Sequence, residues 1–104
     1  IFRLKRNSCK NLEMFKTLEE LIAVIRQRKG HSSENSYTSK LLSNQKLSIE
    51  KVKEEIAELF EAIQKNSNKI HESADVLYHL MVLLEAHNIK IEEVLEELKK
   101  RQKK

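Results

Sequence analysis

The sequence contains no proline, no tryptophan and a single glycine among 104 residues, and aromatic side chains make up only 5%. A sheet needs many tight turns, so the shortage of turn-forming residues excludes most β architectures. One cysteine, Cys9, rules out a disulfide within the chain and gives no sign of an oxidising compartment. No stretch approaches the roughly 18 consecutive apolar residues of a membrane span, and the basic opening residues lack the apolar run of a signal peptide. A cytoplasmic location is the default expectation. Charge is abundant, at 35% of residues. Together these features predict an all-α fold, a helical bundle of four to five helices in one small domain, near the size where a single core is modestly stabilising and a partner subunit helps.

The net charge of +4 is unevenly placed. Arg3, Lys5, Arg6 and Lys10 against Glu13, with five Lys or Arg in residues 99–104, give the two ends +8 and leave the middle at −4. Basic tails permit nucleic acid or an anionic membrane as a partner. Solvated helix ends explain them as well, and neither partner is expected. Residues 1–13 also differ in composition from the rest of the chain. Met14, just before a regular helical pattern, is the expected start of a domain over 14–104, with 1–13 as an extension or leader.

The first helix is predicted to open at Thr17, whose side chain can cap the N-terminus while Glu20 reaches back. Leu18, Leu21, Ile22 and Ile25 then make an apolar stripe. Basic residues and Gly30 end it, and residues 31–35 read as a loop. Residues 36–42 suit a short capped helix with Tyr37, Leu41 and Leu42 inward. Ser36, Thr38 and Lys40 there could hold anionic oxygens, although a capped surface helix accounts for the same letters.

A central helix is expected over about 48–65. Ile49, Val52, Ile56, Leu59, Phe60 and Ile63 fall within an arc of about 100°. Glu54, Glu58 and Glu61 lie opposite it, with Glu55 at the flank, which is also how an ordinary solvated face looks. The next helix, about 71–87, carries Val76, Leu77, Leu80, Met81, Val82, Leu83 and Leu84, so burial nearly all round is expected. Yet Glu72, Asp75 and His79 share one of its faces. Carboxylates on a buried helix need a cationic partner or a metal. If residues 64–69 turn the second helix back on the first, the pairs Glu55/Glu58 and Glu72/Asp75 can converge on one site. Such a site calls for a hard, oxygen-seeking cation, with Mg2+ the usual candidate. His79 alone is more often a satisfied core histidine, and Mg2+ does not select it.

A last amphipathic helix comes after Asn88, with Ile91, Val94, Leu95 and Leu98 inward. Its Glu92, Glu93, Glu96 and Glu97 repeat the earlier acidic spacing without a second acidic motif behind them. Glutamates at this spacing therefore carry little weight alone. No Gly-rich phosphate loop and no Cys/His zinc spacing occurs.

Glu-Glu-x-x-Glu at 54–58 followed by Glu-x-x-Asp at 72–75 resembles the all-α nucleotide pyrophosphohydrolases, the superfamily of MazG-type enzymes and dimeric dUTPases. The longer agreement is more specific. Ser36-Tyr37-Thr38-Ser39-Lys40-Leu41-Leu42, then Lys51-Val52-x-Glu54-Glu55, then the unbroken run 72–84, then Val94-Leu95-x-Glu97-Leu98 together look like the phosphoribosyl-ATP pyrophosphohydrolase family. Lys53 departs from the Gly frequent at that position.

The resemblance implies Mg2+-dependent hydrolysis of phosphoribosyl-ATP to phosphoribosyl-AMP and pyrophosphate, the second step of histidine biosynthesis. By the same carry-over Glu55, Glu58, Glu72 and Asp75 would hold Mg2+, and Glu54 would orient or deprotonate water. Lys51 and Lys40 would meet phosphate, with Ser36, Tyr37 and Thr38 near the substrate. A homodimer with sites near its interface is also implied. Two other readings compete: a house-cleaning hydrolase of other nucleoside triphosphates, and a non-catalytic helical dimerisation module whose glutamates are surface.

Overall fold

The computed structural model describes residues 9–29 and 36–102. Among these residues five helices succeed one another: α1 Cys9–Lys29, α2 Tyr37–Ser43, α3 Gln45–Lys65, α4 Lys69–Ala86 and α5 Ile91–Gln102. No strand occurs among the described residues. Among the described residues no helix is long and apolar enough to cross a membrane.

Several predicted boundaries move. Thr17 does not cap a helix, because α1 already runs from Cys9. Gly30 and the loop at 31–35 lie outside the described residues. Ser36 caps α2 as the local sequence suggests, accepting from the Ser39 amide at 3.2 Å. The central helix starts at Gln45 rather than residue 48, since the Asn44 side chain accepts from the Leu47 amide at 3.0 Å and supplies a cap further back. Likewise α4 begins at Lys69, two residues before the expected start, and ends at Ala86.

With so little glycine, asparagine turns the corners. At the end of α3, Asn66 adopts φ 53°; its amide bonds to Ile63 O and that of Ser67 to Ala62 O, the Schellman arrangement. Asn88, at φ 60°, closes α4 the same way, with Asn88 N–H to Glu85 O and Ile89 N–H to Leu84 O. Asparagine tolerates the left-handed region better than other residues with a Cβ. The turn at Asn66, with Asn68 also at positive φ, folds α4 back along α3, and these two helices make the most extensive contact in the fold.

The core gathers Ile25 of α1, Leu41 of α2 and Met81 and Val82 of α4, ringed by Leu18, Leu21, Ile22, Leu42, Leu47, Tyr78, Leu84 and Ile91. The predicted α1 stripe thus packs as expected. The α3 stripe does not. Its buried residues are Ser48, Val52, Glu55 and Ala62, an arc rotated toward Glu55, while Ile49, Phe60 and Ile63 stay exposed. Expected all-round burial of α4 also fails within one chain, where Leu77 is 44% exposed and Leu80 lies open beside it. Tyr37 and Leu95, both expected inward, are exposed as well. Five short helices have too little surface to cover every apolar side chain. Uncovered apolar side chains occur on all five helices, and on α3 and α4 they share the helix with the acidic motifs.

Candidate active site

Glu54, Glu55 and Glu58 each place a carboxylate oxygen within 4.8 Å of the others on α3; His71, Glu72 and Asp75 do the same with a ring nitrogen and two carboxylates on α4. Helical spacing alone makes each triad, because residues three and four apart share a face. The α3–α4 hairpin sets the triads facing one another. Glu55 lies under the influence of Asp75, and Glu72 under that of Glu58. The structure thus gathers all five predicted acids, in two adjoining groups.

Glu55 is the unusual member, buried to 9% exposure on the α4-facing side of α3, where the wheel puts it at the flank. Desolvation, then the Glu58 carboxyl beside it, raises its pKa above the ordinary value, with His79 acting in the opposite sense. Glu72 is raised too, by desolvation, then by the charge of Glu58 and by contact with Asp75. At the margins of the two groups Glu54 pairs with Lys51 at 3.6 Å, and an Asp75 carboxylate oxygen lies 3.5 Å from His71 Nε2. Surroundings that raise the pKa of Glu55 and Glu72, with oxygen as almost the only donor atom, suit a hard divalent cation.

The decoy glutamates behave otherwise. Glu92 is gripped at both carboxylate oxygens by Arg26, and Glu97 meets Arg101. Their charge is used in joining helices and in a surface pair.

Beside the acids, α2 meets α4 through hydroxyls and rings. Tyr37 Oη is 2.9 Å from His79 Nε2, Thr38 Oγ1 bonds to Tyr78 Oη, and the rings of Tyr37 and Tyr78 stack with centroids 6.5 Å apart. Lys51, Glu54 and Glu55 all act electrostatically on Tyr37, which puts α2 at the edge of the acidic groups. Burial raises the Tyr37 pKa and the ammonium of Lys51 opposes that shift. Ser36 caps α2 and also accepts from Arg28 Nη1 at 2.8 Å. Lys40 is exposed on α2, and no contact ties it to the acids among the described residues. His71 and Arg28 are additions that sequence reasoning passes over. The four-residue step from His71 to Asp75 was available as a signal, whereas nothing local links Arg28 to Ser36.

A helical hairpin that brings an acidic triad on α3 beside a His71, Glu72 and Asp75 group on α4, edged by a tyrosine and a lysine, is an arrangement that could hold a hard divalent cation next to a phosphate-bearing ligand. A family model described as phosphoribosyl-ATP pyrophosphohydrolase matches residues 18–102. The phosphoribosyl-ATP pyrophosphatase of Haloarcula marismortui is 40% identical over 89 residues, covering 81% of this chain and 91% of that protein. The phosphoribosyl-ATP pyrophosphatase of Clostridium novyi is 44% identical over 92 residues, covering 84% and 82%. The histidine biosynthesis bifunctional protein HisIE of Buchnera aphidicola is 41% identical over 103 residues, which is 96% of this chain and 47% of that protein. The chain belongs to the phosphoribosyl-ATP pyrophosphohydrolase family, and enzymes of this kind generally use a divalent metal.

Proposed function

We propose that the chain hydrolyses phosphoribosyl-ATP to phosphoribosyl-AMP and pyrophosphate in histidine biosynthesis, using Mg2+ held by Glu55, Glu58, Glu72 and Asp75. The observation that carries this is the pairing of family membership over residues 18–102 with the facing acidic triads of α3 and α4. Mg2+, when bound, neutralises the triphosphate and lowers the pKa of a coordinated water.

The remaining work falls to the chain's own residues. Rigid helices hold the carboxylates in place before the substrate arrives, so little reorganisation accompanies the reaction. Glu54 is exposed, its side chain 56% accessible, and its oxygen can take a proton from the attacking water. Lys51, already beside Glu54, offers an ammonium to the phosphate oxygens on the same edge. Lys40 reaches toward the substrate from the exposed side of α2. Ser36 and Thr38, whose hydroxyls are held by Arg28, Ser39 and Tyr78, shape the edge on which Tyr37 stands.

The working unit is a homodimer, supported by the uncovered Ile49, Phe60, Ile63, Leu77 and Leu80 on the two site-bearing helices.

The test is pyrophosphate release from phosphoribosyl-ATP beside ATP, dCTP and dUTP, with and without Mg2+. Metal-dependent release confined to phosphoribosyl-ATP is expected, and the double variant Glu55→Gln, Glu58→Gln should lose it at least about 100-fold. Equal release from the other triphosphates points instead to a house-cleaning enzyme. No release, with no thermal stabilisation by Mg2+, leaves a helical module with acidic surface.

A further inference from the structure

His79 lies between two partners. Its Nδ1 is 2.7 Å from the backbone carbonyl oxygen of Asp75, one turn back on α4, and its Nε2 is 2.9 Å from Tyr37 Oη. A carbonyl oxygen only accepts, so Nδ1 carries the hydrogen and donates it. In the neutral ring Nε2 then has a lone pair and no hydrogen, and the Tyr37 hydroxyl donates to it. A phenol has one hydrogen to give. Tyr37 is left facing its surroundings with lone pairs alone.

The tie is well protected. His79 is 8% exposed, so water competes poorly for either nitrogen. Its ring meets Tyr37 and Tyr78 edge-on, at centroid distances of 5.8 and 4.9 Å. Tyr37 itself is 45% exposed. The tie therefore sets the orientation of an accessible oxygen at the edge of the acidic site.

We propose that the chain from Asp75 carbonyl through His79 makes Tyr37 a hydrogen-bond acceptor for the substrate, selecting a ribose hydroxyl or a base N–H of the nucleoside portion. His79 is the positioning residue and Tyr37 the selecting one; the assignment rests on the nucleotide substrate proposed above. Phosphate oxygens are acceptors themselves, and two acceptors repel. Tyr37 therefore takes no part in phosphate binding, which is left to lysine and metal.

Inorganic triphosphate, which presents essentially only acceptor oxygens, separates this role from phosphate recognition. Tyr37→Phe keeps the ring and removes the oxygen. Its KM for phosphoribosyl-ATP should rise about fivefold with kcat little changed, while inhibition by inorganic triphosphate stays at the wild-type level. His79→Asn keeps a donor near Nδ1 and removes Nε2. It should show the same KM change and add nothing to Tyr37→Phe in the double variant. His79→Gln, whose amide oxygen can reach the position of Nε2, should recover most of the loss. Nitrogen-15 NMR of the wild-type imidazole should show the Nδ1–H tautomer whatever the turnover.

A wild-type KM in Tyr37→Phe overturns the assignment, as does triphosphate inhibition weakened in step with KM, an Nε2–H tautomer, or additive losses in the double variant. If the His79 variants do not fold, Tyr37→Phe measured with the two ligands decides alone. Wild-type protein that leaves phosphoribosyl-ATP intact overturns the functional reading and this role with it. An active wild type with an unaffected Tyr37→Phe overturns this role only.

Discussion

The carboxyl group of Glu55 is pressed between α3 and α4 against that of Glu58, one turn further along the same helix, and burial and this neighbour together raise its pKa. A carboxylate so placed weakens the fold when it is charged, because the folded state holds its proton more tightly than the unfolded chain does. Metal-free protein should therefore gain stability as pH falls through the folded pKa of Glu55 toward its ordinary value of 4.5. Thermal melts at constant ionic strength will show this as a rising Tm across that window. Glu55→Gln should raise the metal-free Tm and flatten the rise, and it should abolish the stabilisation by Mg2+. A variant less stable than wild type without metal would mean that the charge is compensated.

Arg26 and Glu92 join α1 to the first turn of α5, with the guanidinium spanning both carboxylate oxygens. The same Arg26 reaches Glu85, while Lys29 caps the end of α4 at Glu85 O, 2.9 Å away. Pairing with Arg26 depresses the Glu92 pKa from 4.5 to about 2. Here the sign is opposite to that of Glu55. The contribution is complete above 4.5 and is lost as pH falls toward 2. Both side chains are well exposed, so Glu92→Gln should lower Tm at neutral pH by only about 2–5 °C. The drop should shrink in 1 M salt and vanish at the acid end of the window. A larger loss that salt does not change would show that α5 depends on something other than this pair.

Phe60, 60% exposed on α3, and Leu77 on α4 are apolar side chains that one chain leaves in water. A charge at either position should disrupt a dimer while leaving the intrachain core intact. Leu77→Asp, read by light scattering at micromolar concentration, should halve the particle mass with helical circular dichroism retained. A wild-type particle with the mass of one chain would remove the dimer from the proposal, and an unchanged mass in the variant would put the interface elsewhere.

Ile25, 2% exposed, touches the meeting point of α1 with α2 and α4. Truncating it leaves a cavity in a core whose fully buried large side chains are few. Ile25→Ala should cost about 2–5 kcal/mol in urea unfolding, a large share of the stability of a domain this size. Pyrophosphate release at low temperature should survive, since Ile25 touches none of the acidic groups. A loss below about 1 kcal/mol would show that α1 contributes little to the fold.

Local features account for the part that was legible. Ser36 caps its helix through a three-residue contact, and the apolar stripe of α1 packs as its period requires. Glu54, Glu55 and Glu58 meet because helical geometry puts them on one face. The errors have two causes. Thr17 and Glu20 make a good local cap, but a longer helix through Cys9 to Lys29 overrides them. The α3 wheel marks its apolar arc correctly, yet this arc is divided between the intrachain core and an uncovered face, so Glu55 is turned inward and Phe60 outward. A single-chain wheel cannot tell two buried directions apart.

Composition and periodicity alone determined that this protein is helical and that two helices each carry an acidic face, because helix propensity and i, i+3, i+4 spacing are properties of neighbouring residues. Only the tertiary structure decided which acid is buried, that the two acidic faces meet, and that His79 joins Tyr37 to α4. Those depend on the angle at which α4 returns along α3 and on α2 packing across both. That geometry is set by contacts between residues distant in sequence, such as Tyr37 with His79, 42 positions apart, and Thr38 with Tyr78, 40 apart, which no local pattern encodes.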